Sequence, residues 1–280
     1  MRNLLFCVIF LTSAAAYAAP QKNSPASATQ SLNYPDLADF ALASKLVAHV
    51  QIQNAKPLKG ALAQGTPAGY QRLLIQAKVI ALLKAPDSQA ARLEYLIDVP
   101  VDSRGRFAKL KKVESLIFAR PIRSGEIQLI APDAWVTWSE DYGQTVRSIL
   151  TAATQTDVAP HISGIASAFH SPGSLPGEGE TQIFLTTRDN RPASLTVQRR
   201  ADTGARWFVS LGEVVDEGVS RPEKNTLLWY RLACFLPQTV PDTLIADQPG
   251  AMQTEIKRDY SYVRQSLGPC VRVRASRSFP

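Results

Sequence analysis

The chain has 280 residues, 45% of them hydrophobic, and a formal net charge of +7. That size gives room for one large domain or two small ones with cores of their own, and the composition excludes a wholly disordered or collagen-like chain. Three cysteines and three widely separated histidines lack the clustered ligand spacing of a structural zinc site, so neither a metal nor another cofactor is expected.

The N-terminus reads as a secretory leader. Arg2 is followed by the unbroken apolar run Leu4 to Leu11, and small residues then lead to Ala16-Tyr17-Ala18. A signal peptidase admits only short side chains at the first and third positions before the cut, so residues 1–18 are a signal peptide cleaved before Ala19. The run is shorter than the roughly 20 residues that span a bilayer. Cys7 stands too early for a lipoprotein cleavage site. No later apolar stretch escapes interruption by charge, so no stable membrane insertion is expected and the mature protein is assigned to the periplasm or the extracellular medium. Cleavage leaves Cys234 and Cys270. An even pair in an oxidising compartment predicts a disulfide, closing a loop of about 37 residues worth roughly 3–4 kcal/mol.

Residues 19–33 form a flexible linker, because Gln21 to Gln30 lacks apolar periodicity. Pro35 to Ala43 predicts a helix with Asp36 as its cap. Lys45 to Gln53 alternates as a strand, and Gly60 to Gly69 is a loop. Leu73 to Leu83 and Ala91 to Val101 are further strands, the second ending at the turn Asp102-Ser103-Arg104-Gly105. Val113 to Ala119 and Glu126 to Ile130 complete a set whose spacing indicates a small barrel or sandwich. Asp141 to Ala153 is a helix. Ile162 to Phe169 is a strand, followed by a three-stranded meander of Gln182 to Thr187, Ala193 to Arg200 and Arg206 to Val215. Ser220-Arg221-Pro222-Glu223 fits a capping box for a helix reaching Leu236. Met252, Ile256, Tyr260, Val263 and Leu267 mark a second helix ended by Gly268-Pro269.

The order of a short helix, Leu46-Val47-Ala48-His49-Val50, Val79-Ile80-Ala81-Leu82-Leu83-Lys84 and Leu116-Ile117-Phe118-Ala119 resembles the OB-type barrels of tissue-inhibitor and netrin modules. That resemblance implies an OB-like barrel over about 90 residues. The metalloprotease inhibitors of the class use an N-terminal cysteine to reach the metal, whereas this mature chain begins Ala19-Pro20, so their mechanism does not carry over. The segments Asp98 to Gly105, Pro172 to Thr181 and Thr226 to Cys234 also resemble a set of uncharacterised exported proteins of α-proteobacteria, and that resemblance implies no activity.

The segment His170 to Thr181 holds three glycines and two prolines between apolar strands. Within it His170, Glu178 and Glu180 could form an acid–base cluster, with a carboxylate fixing the imidazole tautomer and Ser167, Ser171 or Ser174 as a nucleophile. The tests for known motifs fail. Gly164-Ile165-Ala166-Ser167-Ala168 is not a nucleophile elbow, and Gly173 to Gly179 lacks the lysine of a phosphate loop. Basic residues are scattered over Lys109, Lys111, Lys112, Arg199, Arg200, Arg264, Arg272, Arg274 and Arg277, which points to a solvated surface rather than nucleic-acid binding. The expected fold is α+β: an OB-like barrel over residues 34–138, then a β-meander packed with two disulfide-linked C-terminal helices over 139–280. The expected function is non-catalytic binding of an envelope protein or glycan, with a hydrolase-like site at His170, Glu178 and Glu180 as the alternative.

Overall fold

The computed structural model describes residues 31–86, 90–212 and 219–274. The expected leader and cleavage site, the expected linker up to Gln30 and the end of the strand expected to reach Val215 lie outside these residues. Helix α1 spans Tyr34–Ala43. Its N-cap is Asn33, whose side chain accepts from the Asp36 N–H while the Asp36 carboxylate accepts from the Asn33 N–H. Asp36 is thus the returning member of a capping box rather than the cap.

Six strands follow: β1 (Leu46–Pro57), β2 (Tyr70–Lys84), β3 (Arg92–Pro100), β4 (Glu114–Arg123), β5 (Glu126–Leu129) and β6 (Trp135–Thr137). The order β1-β2-β3-β5-β4 closes on itself through β1–β4 pairing, giving a five-stranded OB-like barrel. β6 and β5 share one edge of β4, pairing with Ser115 to Ile117 and with Ala119 to Arg123 respectively. The turn after β3 forms as read: the Asp102 carboxylate accepts from the N–H groups of Arg104 and Arg106, and Gly105 supplies a positive φ of 71°.

Strand alternation sends Leu46, Ala48, Val50, Ile52, Ile117 and Ala119 into the barrel. Val47, Leu116 and Phe118 point the other way, into a second and larger core shared with α1, the C-terminal helices and the second sheet. Phe40 of α1 stacks on Phe118 at 5.1 Å.

Helix α2 (Glu140–Ala152) is capped by Ser139. The second sheet is a sequential antiparallel meander of β7 (Ile162–Pro172), β8 (Gly179–Thr187), β9 (Ser194–Arg200), β10 (Gly204–Ser210) and β11 (Val219–Ser220). Helices α3 (Leu227–Phe235) and α4 (Gly250–Leu267) complete the α+β fold. α3 starts later than the capping box at Ser220 suggests. Asn225 takes a positive φ of 62°, which ends any helix approaching it, and the Thr226 hydroxyl caps the new one by accepting from the Trp229 N–H.

Cys234 and Cys270 are bonded, with Cα atoms 5.0 Å apart and a sequence separation of 36. The bond anchors a short C-terminal strap to the end of α3. Beyond it Arg272 grips the Asp39 carboxylate, the Val273 N–H donates to Asp36, and Arg274 grips Asp133 while lying 4.3 Å from the Phe40 ring centroid.

Replacing both cysteines by serine should lower stability by about 3 kcal/mol and raise the denaturant dependence, because the unlinked unfolded chain expands. Guanidinium titration of the two forms at one pH measures both quantities.

Candidate functional site

β7 continues past Phe169 to Pro172, so His170 belongs to a strand rather than to the following loop. His170 stands opposite Thr181, and Ser171 opposite Glu180. Residues opposite each other share a face and successive residues alternate, so His170 and Thr181 point one way while Ser171 and Glu180 point the other. The Glu180 carboxylate accepts from the side-chain amides of Gln182 and Gln198, and Glu178 accepts from the Ala201 N–H. The structure therefore brings His170 together with Thr181 and gives Glu178 and Glu180 other partners. Ser167, Ser171 and Ser174 are exposed.

The partner of this pair comes from α4. His170 Nδ1 lies 2.9 Å from Thr181 Oγ1, which donates to Asp259 Oδ2 at 2.5 Å; Arg199 Nε donates to Asp259 Oδ1 at 2.5 Å. A threonine hydroxyl has one proton, and here the carboxylate takes it. Its oxygen must then accept from Nδ1–H, which leaves His170 Nε2 as the basic nitrogen. The Nε2 edge lies against Gly179, where a Cβ would fall 2.7 Å from the nitrogen, so this position requires glycine. The histidine has a fixed tautomer and a lone pair, as a general base needs. What it lacks is a nucleophile, because Thr181 is fully buried and committed to Asp259. The arrangement ties α4 to β7, β8 and β9. Sequence reasoning passed over Asp259, although an acid inside the apolar stripe of Ile256, Tyr260 and Val263 is itself a signal of a buried charge needing partners.

The other two histidines are also packed. His49 Nε2 lies 2.9 Å from Glu114 Oε2, and its ring stacks on Trp138 with centroids 3.6 Å apart. Gly143 of α2 meets Trp138 so closely that a Cβ there would come within 2.3 Å of the indole, so the barrel and α2 meet through this stack. His161 packs on Phe235 at 4.6 Å. Burial, then the charges of Arg231 and Arg188, hold its pKa below the ordinary 6.5.

A wide concavity lies on the barrel. β3 and β5 run parallel but make one ladder pair, Glu94 with Glu126, sealed by the Glu94 N–H donating to Gly125 O at 2.7 Å. Past that pair lies a groove of about 830 Å³. Leu74, Leu96, Ile122, Leu129, Ile130 and Pro132 give it apolar walls, and Leu96 and Ile122 are 47% and 62% exposed. Arg72 on its rim makes a two-toothed ion pair with Asp98, through Nε at 2.8 Å and Nη2 at 2.9 Å.

Among the described residues no group of three or more histidine, cysteine or acidic side chains could hold a metal ion, and no helix is long and apolar enough to cross a membrane. Compared with known proteins, the chain matches no family model and no curated protein.

Asp259→Ala should cost about 3 kcal/mol in urea titration, towards the lower end for a broken buried pair because Arg199 keeps 20% side-chain exposure. Glu180→Gln, on the opposite face, should stay within about 0.5 kcal/mol. For His161, a lowered folded pKa means that the unfolded chain takes up the proton first. Stability from this residue is full above pH 6.5 and declines as pH falls below that value. His161→Asn should flatten the stability profile in that window, as followed by thermal melts at successive pH values.

Proposed function

We propose that this protein is an exported, non-catalytic binding protein of the periplasm or the extracellular medium, and that the groove between β3 and β5 is its binding surface. The observation that carries the reading is a preformed apolar concavity, of the size that holds a ligand or a partner's side chains, opening on a rigid barrel. Leu96 and Ile122 are exposed and line one groove together with Leu74, Leu129 and Ile130, and contiguous apolar surface, rather than a single exposed side chain, marks a binding site. A covalently closed cysteine pair supports export. The contacts of His170 support a structural role for that residue, since its relay ends in an ion pair and not at a nucleophile.

Titration with the fluorescent apolar dye anilinonaphthalene sulfonate tests the surface. Leu96→Glu or Ile122→Glu should weaken dye binding at least tenfold while the circular dichroism spectrum is unchanged. Dye binding indifferent to both substitutions, or ester hydrolysis that is lost in His170→Ala, would overturn the reading. On the export side, the protein recovered from the periplasm or culture medium of a bacterial host should begin at Ala19, with Cys234 and Cys270 refractory to alkylation until reduced.

A further inference from the structure

Resting on the groove as the binding surface, we propose that its occupant is an extended peptide segment of a partner protein. The segment adds to the open edge of β3, lays apolar side chains in the groove and sets a lysine or arginine beside Glu94. The argument starts from the backbone. In an antiparallel ladder, pairs that exchange hydrogen bonds alternate with pairs that do not. Glu94 gives its N–H to Gly125, away from β2, so Glu94 with Gln76 is a pair that exchanges none. The β2–β3 register runs without a shift, so Leu96 with Leu74 and Asp98 with Arg72 are of the same kind. The Val101 N–H, of the opposite parity, donates to Gly69 O and fits this phase.

The backbone groups of Leu96 and Asp98 therefore point toward β5. There the ladder has already ended, because the two strands pair only at Glu94 and Glu126. On the facing side Ile130 donates to Phe118 O, which assigns even-numbered residues of β5 to β4 and turns Leu129 toward the groove. Backbone donors and acceptors thus line an apolar cleft in a row with strand spacing. A sugar or a lipid tail answers one half of that surface; an extended peptide answers both, pairing its main chain with the edge and sending alternate side chains onto Leu96 and Ile122.

Charge selects the kind of peptide. The chain carries +7 overall, yet the charged residues lining the groove are Arg72, Glu94, Asp98 and Glu126. Arg72 is engaged by Asp98 and Glu126 by Arg123, whereas among the described residues the Glu94 carboxylate meets only the Gln76 amide. One carboxylate at the closed end of the groove is left for a cation from the occupant.

The backbone edge cannot be altered without endangering the barrel, so the probe's backbone is altered instead. Isothermal titration of the full chain would use acetyl-Lys-Val-Thr-Val-Thr-Val-amide, two copies of it N-methylated at one or the other set of alternate residues, and cellohexaose. The parent peptide should bind. One methylated copy should lose at least tenfold in affinity and the other little. Glu94→Gln should weaken binding several-fold and reduce its salt dependence, and Leu96→Glu should abolish it. Equal binding of both methylated copies and the parent overturns strand addition. Binding of cellohexaose but not of the peptides, abolished by Leu96→Glu, overturns the peptide occupant and leaves the groove standing. Self-association in sedimentation that Leu96→Glu dissolves gives the edge to a second copy and overturns the proposal as well. Dye binding indifferent to both Leu96→Glu and Ile122→Glu removes the groove itself.

Discussion

Two strands with both faces buried are the constraint on which the rest of this protein depends. β1 and β4 are neighbours in the barrel, and one face of each fills its interior with Leu46, Ala48, Val50, Ile52, Ile117 and Ala119. Their other faces belong to a different core, where Val47, Leu116 and Phe118 meet α1 and, beyond it, the second sheet and its helices. A slip of one residue in the β1–β4 register would exchange the two sets of side chains and spoil both cores together. α1 precedes the barrel in the chain yet packs in the larger core, and its Phe40 is the ring that covers Phe118. Barrel and meander are thus joined by shared walls rather than by a linker between independent units.

That sharing explains where polar groups are buried. A sheet that receives a helix on one face normally does so with apolar residues alone. Here a carboxylate of α4 comes down onto β8 and is met by a threonine, a histidine behind it and an arginine from β9. An ion pair in such a place adds little net stability over an apolar replacement, but parting its members is costly, which penalises other seatings of the helix. The same logic recurs at the His49–Trp138 stack, where Gly143 leaves no room for another packing distance. The barrel's outer face differs. Between β3 and β5 nothing of the described chain completes the sheet.

Much of this was legible in the sequence because the signals were local. Alternating apolar residues gave the strands, spacings of three and four gave α4, and Cys7 inside the expected leader left one pairing for the other two. The misplaced details show what local signals omit. Asn33 and Asp36 carry equivalent capping chemistry, and only the backbone angles tell cap from partner. Ser220 offered a plausible capping box, but the left-handed turn at Asn225 belongs to the chain's path and not to a motif. Reading His170 as a loop residue made Glu178 and Glu180 its natural neighbours. Three more residues of strand reversed that, because alternation decides which side chains can meet. Its true anchor, Asp259, lies 78 positions from Thr181 and becomes a neighbour only when α4 docks. The single-pair seam of the barrel has no sequence signature at all, since it is a property of where two strands stop pairing.

The C-terminal strap has a consequence for the order of events in folding. Asn33, Asp36 and Asp39 at the start of the described chain are held by Val271, Arg272 and Val273 at its end, across separations of 233 to 238 residues. Contacts of such span form late, because nearly the whole chain must already be arranged before their loop entropy is recovered. In a chain made or threaded from its N-terminus, α1 emerges first and waits longest for its last partners. Until the strap arrives, the polypeptide has its barrel signals in hand but not its closure.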